Sequence, residues 1–238
     1  MKIPHVADET FATTRWSLVR RAGGSAPGAR RALGELCEAY WRPIYAWLRR
    51  DGHPPDDALD LTQDFLAAVL ERGALGAPDS GRFRGYVIGA VRHFAHNARR
   101  RDRAARRGGE HTRLDGEDGE RWQHGVVASR DLGPEATFER GYAVALLERA
   151  MRALQREFEH KGAGERFAAI RPFLDGHDAA TSYAEVAAAL CIEAGTLRVG
   201  VHRARTRLGE LIRAEVAETV DDPALVEDEL AALRAALA

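Results

Sequence analysis

Arginine dominates the chemistry this chain can offer, and it is not spread evenly. Between Arg82 and Arg107 nine arginines stand against the single acid Asp102. A second group, Arg198, Arg203, Arg205 and Arg207, lies within SYAEVAAALCIEAGTLRVGVHRARTRLGELIR, residues 182–213. A guanidinium is planar and permanently charged, and its fork holds a phosphate or the edge of guanine with two hydrogen bonds. Arginines packed this densely repel one another unless they are solvated or meet phosphate, and the pattern favours phosphate. The net charge of −1 conceals this, because residues 108–139 carry eight acids against three arginines and residues 215–229 carry seven acids and no base. Bulk charge therefore says nothing about a nucleic-acid partner, whereas its distribution does.

Catalytic signatures are absent from the sequence. It has no phosphate-cradling glycine loop, no H-E-x-x-H and no G-x-S-x-G. His93 and His96 share a helix face at a spacing that can bind metal, but arginines flank them and no cysteine or carboxylate cluster is near. The expectation is a protein that is not an enzyme and needs no cofactor. Cys37 and Cys191 are far apart, each within or beside a helical pattern, and are expected as small buried hydrophobes in a reducing compartment. The opening MKIPHVADETFATTRW lacks the apolar run of a signal peptide, and no window approaches about 18 apolar residues, so a soluble, cytoplasmic protein without a membrane partner is expected.

The elements that must position these arginines follow from helical periodicity. Ser182 with Glu185 three residues on can form a capping box and start a helix with Ala184, Val186, Ala187 and Leu190 on its apolar side. The break at residues 191–195 allows only a sharp turn, with Ile192 as its plug, and Leu197, Val201, Ala204, Leu208, Leu211 and Ile212 then define a second helix. This is a helix-turn-helix pattern with arginines largely off its apolar face.

The first half reads as three helices. One holds Leu33 to Leu48, with Pro43 as an expected kink and Tyr40, Trp41, Tyr45 and Trp47 as packing residues. The next, from Asp56, turns Leu61, Phe65, Ala68 and Val69 inward and leaves Asp60, Gln63, Asp64 and Glu71 outside. A third, from Phe83, carries Val87, Val91, Phe94, Ala95 and Ala98 and fades into Arg99, Arg100, Arg101 and Arg103, with Phe83 and Tyr86 as candidates for stacking on an unpaired base.

Residues 1–12 read as a loose arm before a short helix from Thr13 or Thr14, and Trp122 is a large apolar residue without a role. No strand pattern exceeds chance. The expected fold is all-α, two helical domains joined by a flexible linker, the second a helix-turn-helix domain. Its boundaries are 1–107, an acidic glycine-rich linker 108–135, 136–213, and an acidic helical extension 214–238.

Two basic helical modules in this order resemble the σ70 family of bacterial transcription initiation factors, in its compact extracytoplasmic-function group. The run Asp57-Ala58-Leu59-Asp60-Leu61-Thr62-Gln63-Asp64-Phe65 stands where that family has D-A-E-D-L-x-Q-x-x-F, and Phe83 through Arg103 follows as in the family's second conserved region. Ser182 through Ala187, Gly195-Thr196-Leu197-Arg198 and His202-Arg203-Ala204-Arg205 resemble its fourth.

The resemblance covers roughly residues 30–213 and implies a sigma factor that directs promoter-specific initiation. Asp57, Asp60, Gln63, Asp64 and Phe65 would then bind core RNA polymerase at its β′ coiled coil, with the β flap as a second contact. Arg82, Phe83, Arg84, Tyr86, Arg99, Arg100, Arg101 and Arg103 would hold and help open the proximal (−10) element of promoter DNA. Thr196, Arg198, Val199, His202, Arg203 and Arg205 would meet the distal (−35) element in the major groove. An anti-σ protein, or the acidic extension folding back on the basic helices, is an open means of control.

Two departures stand out. Leu59 breaks the usual acidic pair, and Val199 and Gly200 stand where relatives carry polar or basic side chains, which shifts readout toward DNA shape. The alternative from the residues alone is a stand-alone helix-turn-helix regulator.

Overall fold

The computed structural model describes residues 29–72, 83–105, 132–174, 182–220 and 222–238, and no strand occurs among them. In chain order the helices are α1 (Ala29–Arg50), α2 (Pro55–Arg72), α3 (Phe83–Ala105), α4 (Pro134–His160), α5 (Gly164–Leu174), α6 (Tyr183–Ala189), α7 (Ala194–Ala217), and, after a short 3-10 turn at Pro223–Leu225, α8 (Val226–Leu237). The expected N-terminal arm and its short helix, Arg82, and Trp122 with almost all of the linker fall outside the described residues.

The chain divides into two compact units, Met1–Ala145 with Val216–Ala238, and Leu146–Glu215. The division falls within α4 rather than at residue 136. The C-terminal segment, expected as a separate extension, belongs to the first unit.

In the first unit α1 packs chiefly on α2, and both touch α3. Tyr40, Ile44, Trp47 and Leu48, spaced to share one face of α1, are almost fully buried. Pro43 lies inside α1, which continues through it to Arg50. The helix stops at Gly52, whose φ of +93° lets His53 N–H reach the Leu48 carbonyl at 3.1 Å and Gly52 N–H the Arg49 carbonyl at 3.2 Å.

Pro55 opens α2 and Asp56 and Asp57 occupy its first turn, a placement suited to the exposed amides and positive end of a helix. Thr62, fully buried, donates its hydroxyl to the Ala58 carbonyl at 2.6 Å. Tyr40 stacks on Phe138 and Tyr142 (ring centroids 6.3 and 5.2 Å apart), tying α1 to the start of α4. Val226, Leu230 and Leu233 are the buried apolar residues of α8.

The second unit is built around Leu154, Phe167, Ile170, Phe173, Ala187, Leu197, Val201 and Ala204. Here α4 ends at Gly162 (φ +67°), with Ala163 N–H on the Phe158 carbonyl at 2.8 Å and Gly162 N–H on Glu159 at 2.9 Å. Ser182 starts α6 by accepting from Ala184 N–H at 3.2 Å. The same terminal motif closes α6, with Ile192 N–H on Ala187 at 3.0 Å and Cys191 N–H on Ala188 at 3.1 Å. This time the left-handed residue, φ +52°, is Cys191 rather than glycine.

Cys191 is exposed, not buried as expected, because the left-handed position projects beyond the apolar face of the helix it ends. Ile192 next to it packs on the core. Cys37 is half-buried, and burial raises its thiol pKa. A left-handed residue with a Cβ costs roughly 1–2 kcal/mol. Cys191→Gly is therefore expected to stabilise the second unit by about 1 kcal/mol in denaturant unfolding followed by circular dichroism, and a lower stability would argue against strain at this turn.

Candidate nucleic-acid interface

In the second unit α7 divides cleanly. Leu197, Val201 and Ala204 are buried, and Thr196, Arg198, Val199, His202 and Arg203 are exposed over its first three turns. Val199, half exposed, is one of two large exposed hydrophobics among the described residues. Four residues, 190–193, separate α6 from α7, and Arg198 lies over the ring of Tyr183 on α6, 5.7 Å from its centroid. Arg203 and Val199 border a cleft of about 910 Å³ between the end of α4, α5 and α7. Such a face can donate from guanidinium, hydroxyl and imidazole, and can place methyl groups against the C5-methyl of thymine.

Two arginines of α7 are committed elsewhere. Arg205, expected to meet DNA, donates twice to the Phe173 carbonyl (2.7 and 3.2 Å) and so satisfies a carbonyl at the end of α5. Arg207 pairs with Glu157 at 2.7 Å and with Glu210 at 2.7 Å. The hydrogen bond from Arg207 lowers the Glu157 pKa, and the two carboxylates raise that of Arg207.

A carboxyl lowered on folding adds stability above its unfolded pKa and loses it as pH falls through the folded one. The Glu157 contribution is thus present at neutral pH and fades below about pH 4. Because both side chains are substantially exposed, Glu157→Gln is expected to cost at most about 1 kcal/mol at pH 7, a difference that vanishes in acid. A pH-independent difference would argue against the pairing.

In the first unit the basic helix α3 is less available than its sequence suggests. Arg84, expected on promoter DNA, is 4% exposed. Its Nη1 faces Glu139 at 2.5 Å, its Nη2 donates to Glu229 at 3.1 Å, and the guanidinium lies 5.8 Å from the Tyr142 ring centroid. It is a buried tie between α3, α4 and α8, not a free donor.

Arg99 donates to the Asp51 carbonyl at 2.7 Å and pairs with its carboxylate at 2.9 Å, bracing the end of α1. Arg92 pairs with Glu135, whose pKa is lowered by its own backbone amide and then by Arg92. Arg100 is exposed. Phe83, Arg101 and Arg103 lie on α3 with side chains outside the described residues, as does Arg82 altogether.

Tyr86 is half-buried, and burial raises its hydroxyl pKa. It lines a cavity of about 450 Å³ with Phe65, Phe94, His93 and Asn97, whose aromatic walls suit a flat ring. On α2, Asp57, Asp60, Gln63 and Asp64 are all exposed and form one acidic and amide face. Phe65 is not part of it. At 3% exposure it points inward and meets Phe94 edge-on, 5.6 Å between centroids, so it supports the acidic face from behind.

Glu139 and Glu229 had no role in the sequence reading. The available signal was that Arg84 stands three and seven residues before Val87 and Val91, on the buried stripe. Among the described residues no three His, Cys, Asp or Glu side chains gather as a metal site, and no helix is long and apolar enough to cross a membrane. No family model, curated protein or solved structure matches the chain.

Proposed function

We propose that the chain is a sigma factor of the extracytoplasmic-function type, a non-enzymatic, cytoplasmic subunit that joins core RNA polymerase and directs it to promoters. In this reading α6 and α7 form a helix-turn-helix that reads the −35 element through Thr196, Arg198, Val199, His202 and Arg203. The α3 helix holds the −10 element through Arg100 and its neighbours, with the Tyr86 cavity taking an unpaired base. The β′ coiled coil docks on Asp57, Asp60, Gln63 and Asp64. The observation that carries the reading is the first three turns of α7, where every residue with a donor or a methyl group for a base edge is exposed and every core residue faces away.

The test is transcription in vitro with purified core polymerase and a library of promoter-length fragments. Selective start sites are expected only when the full chain is added. Duplex binding without selective initiation would instead mark a stand-alone helix-turn-helix regulator. Reversing charge at Asp60 and Asp64 together is expected to weaken core association about tenfold or more with helicity intact. Unchanged capture of core polymerase would remove the α2 docking face from the reading.

A further inference from the structure

Gly200, like Gly209, is a glycine inside α7, where it is unfavourable relative to alanine, and at Gly200 a local reason is visible. The reason lies on α5. A methyl group built on Gly200 would stand 2.9 Å from Nη2 of Arg166 and 3.8 Å from its Cζ, so the guanidinium rests on the bare backbone of α7. Arg166 is exposed, and among the described residues neither it nor Arg203 has a carboxylate partner, in contrast to Arg207 at the same cleft. Two uncompensated guanidiniums from different helices thus border one groove, beside the half-exposed Val199 and the hydroxyl of Thr196.

We infer that Arg166 is a phosphate-binding residue of the second unit: α5 supplies a backbone contact beside the base-reading face of α7, and Gly200 is there to let it lie flat. The inference rests on the proposal that α7 enters duplex DNA. Its partner is the sugar-phosphate backbone, because a lone guanidinium braced over a glycine offers charge and a planar fork with no groove of base edges of its own. It also supplies part of what Val199 and Gly200 do not. A contact made from α5 positions the duplex without reading it.

Binding of the full chain to a fluorescein-labelled duplex of mixed sequence, followed by anisotropy between about 50 and 200 mM salt, tests this. Arg166→Ala is expected to weaken binding about eightfold at 0.1 M salt and to reduce the slope of log K against log salt by about 0.9, the release of one counterion's worth of charge. Gly200→Ala is expected to raise the melting temperature while weakening binding. In the Arg166→Ala background it should add no further loss.

If Arg203→Ala weakens binding while Arg166→Ala leaves both affinity and slope unchanged, the inference fails and the reading of α7 stands. The inference also fails if Arg166→Ala alters only the capture of core polymerase, which would make it a protein contact. If neither variant changes binding, or if the unaltered chain does not bind at the lowest salt, the reading of α7 fails and takes the inference with it.

Discussion

Arg84→Ala is expected to destabilise the first unit by about 3 to 5 kcal/mol, because it removes the guanidinium that pairs with the buried Glu229 and with Glu139. Glu229 is 1% exposed and Glu139 is mostly covered, so water cannot replace the guanidinium at the first and does so poorly at the second. The measurement is convenient. None of the four tryptophans lies in residues 146–215, and the two among the described residues, Trp41 and Trp47, are both in α1 of the first unit. Tryptophan fluorescence in urea therefore reports the first unit through Trp41 and Trp47 and carries no tryptophan signal from the second.

Arg84→Ala should move that transition to lower denaturant, and Glu229→Gln should move it less, because the neutral amide still accepts a hydrogen bond. Replacing Arg84, Glu139 and Glu229 together by apolar residues of similar volume should recover most of the loss. A variant of Arg84 with unchanged unfolding and weakened promoter binding would return this residue to the DNA surface.

Arg203→Ala is expected to cost about 1 to 3 kcal/mol of promoter discrimination, roughly 5- to 150-fold in relative occupancy of preferred and scrambled −35 elements. Among the arginines of α7, Arg198 and Arg203 are exposed, near the helix start and without a carboxylate among the described residues, and Arg198 is held over the Tyr183 ring. Arg205 and Arg207 are occupied by the Phe173 carbonyl and by Glu157 and Glu210. The contrast is the useful part: Arg205→Ala should lower stability of the second unit by about 1 kcal/mol and leave selectivity alone. Competition transcription with the two templates checks both. Equal loss from Arg203→Ala on either template would make Arg203 a phosphate contact rather than a reader of bases.

Periodicity made most of the helices legible. The stripe of Tyr40, Ile44, Trp47 and Leu48, that of Val87, Val91, Ala95 and Ala98, and that of Leu197, Val201 and Ala204 are each buried as their three- and four-residue spacing requires. Ser182 caps α6 as its type suggests. What was not legible is long-range pairing. Arg84 was grouped with its basic neighbours by charge although its position in the repeat put it inside, and its partner Glu229 lies 145 residues away, beyond any local pattern.

Arg205 was similar, since nothing nearby in sequence shows that a carbonyl at the end of α5 needs a donor. Phe65 came from a motif, and the motif does not separate the residues that face a partner from the one that holds the helix in place. At Cys191 the hydrogen-bond motif was glycine-like and the residue was not, so composition alone pointed inward.

The division of the chain has a consequence for its synthesis. The first unit is assembled from two stretches, Met1–Ala145 and Val216–Ala238, with the whole of the second unit encoded between them. On a ribosome, residues 1–145 emerge with Arg84 and its partner Glu139 long before Glu229 and the apolar residues of α8 exist to complete the buried cluster. The second unit is continuous in sequence and can fold as it appears, whereas the first must wait, without the buried Val226, Leu230 and Leu233 of α8, until translation has passed the second. Nascent chains stalled before Glu229 should accordingly bind chaperones through α3 and α4, and release them once α8 is free to close.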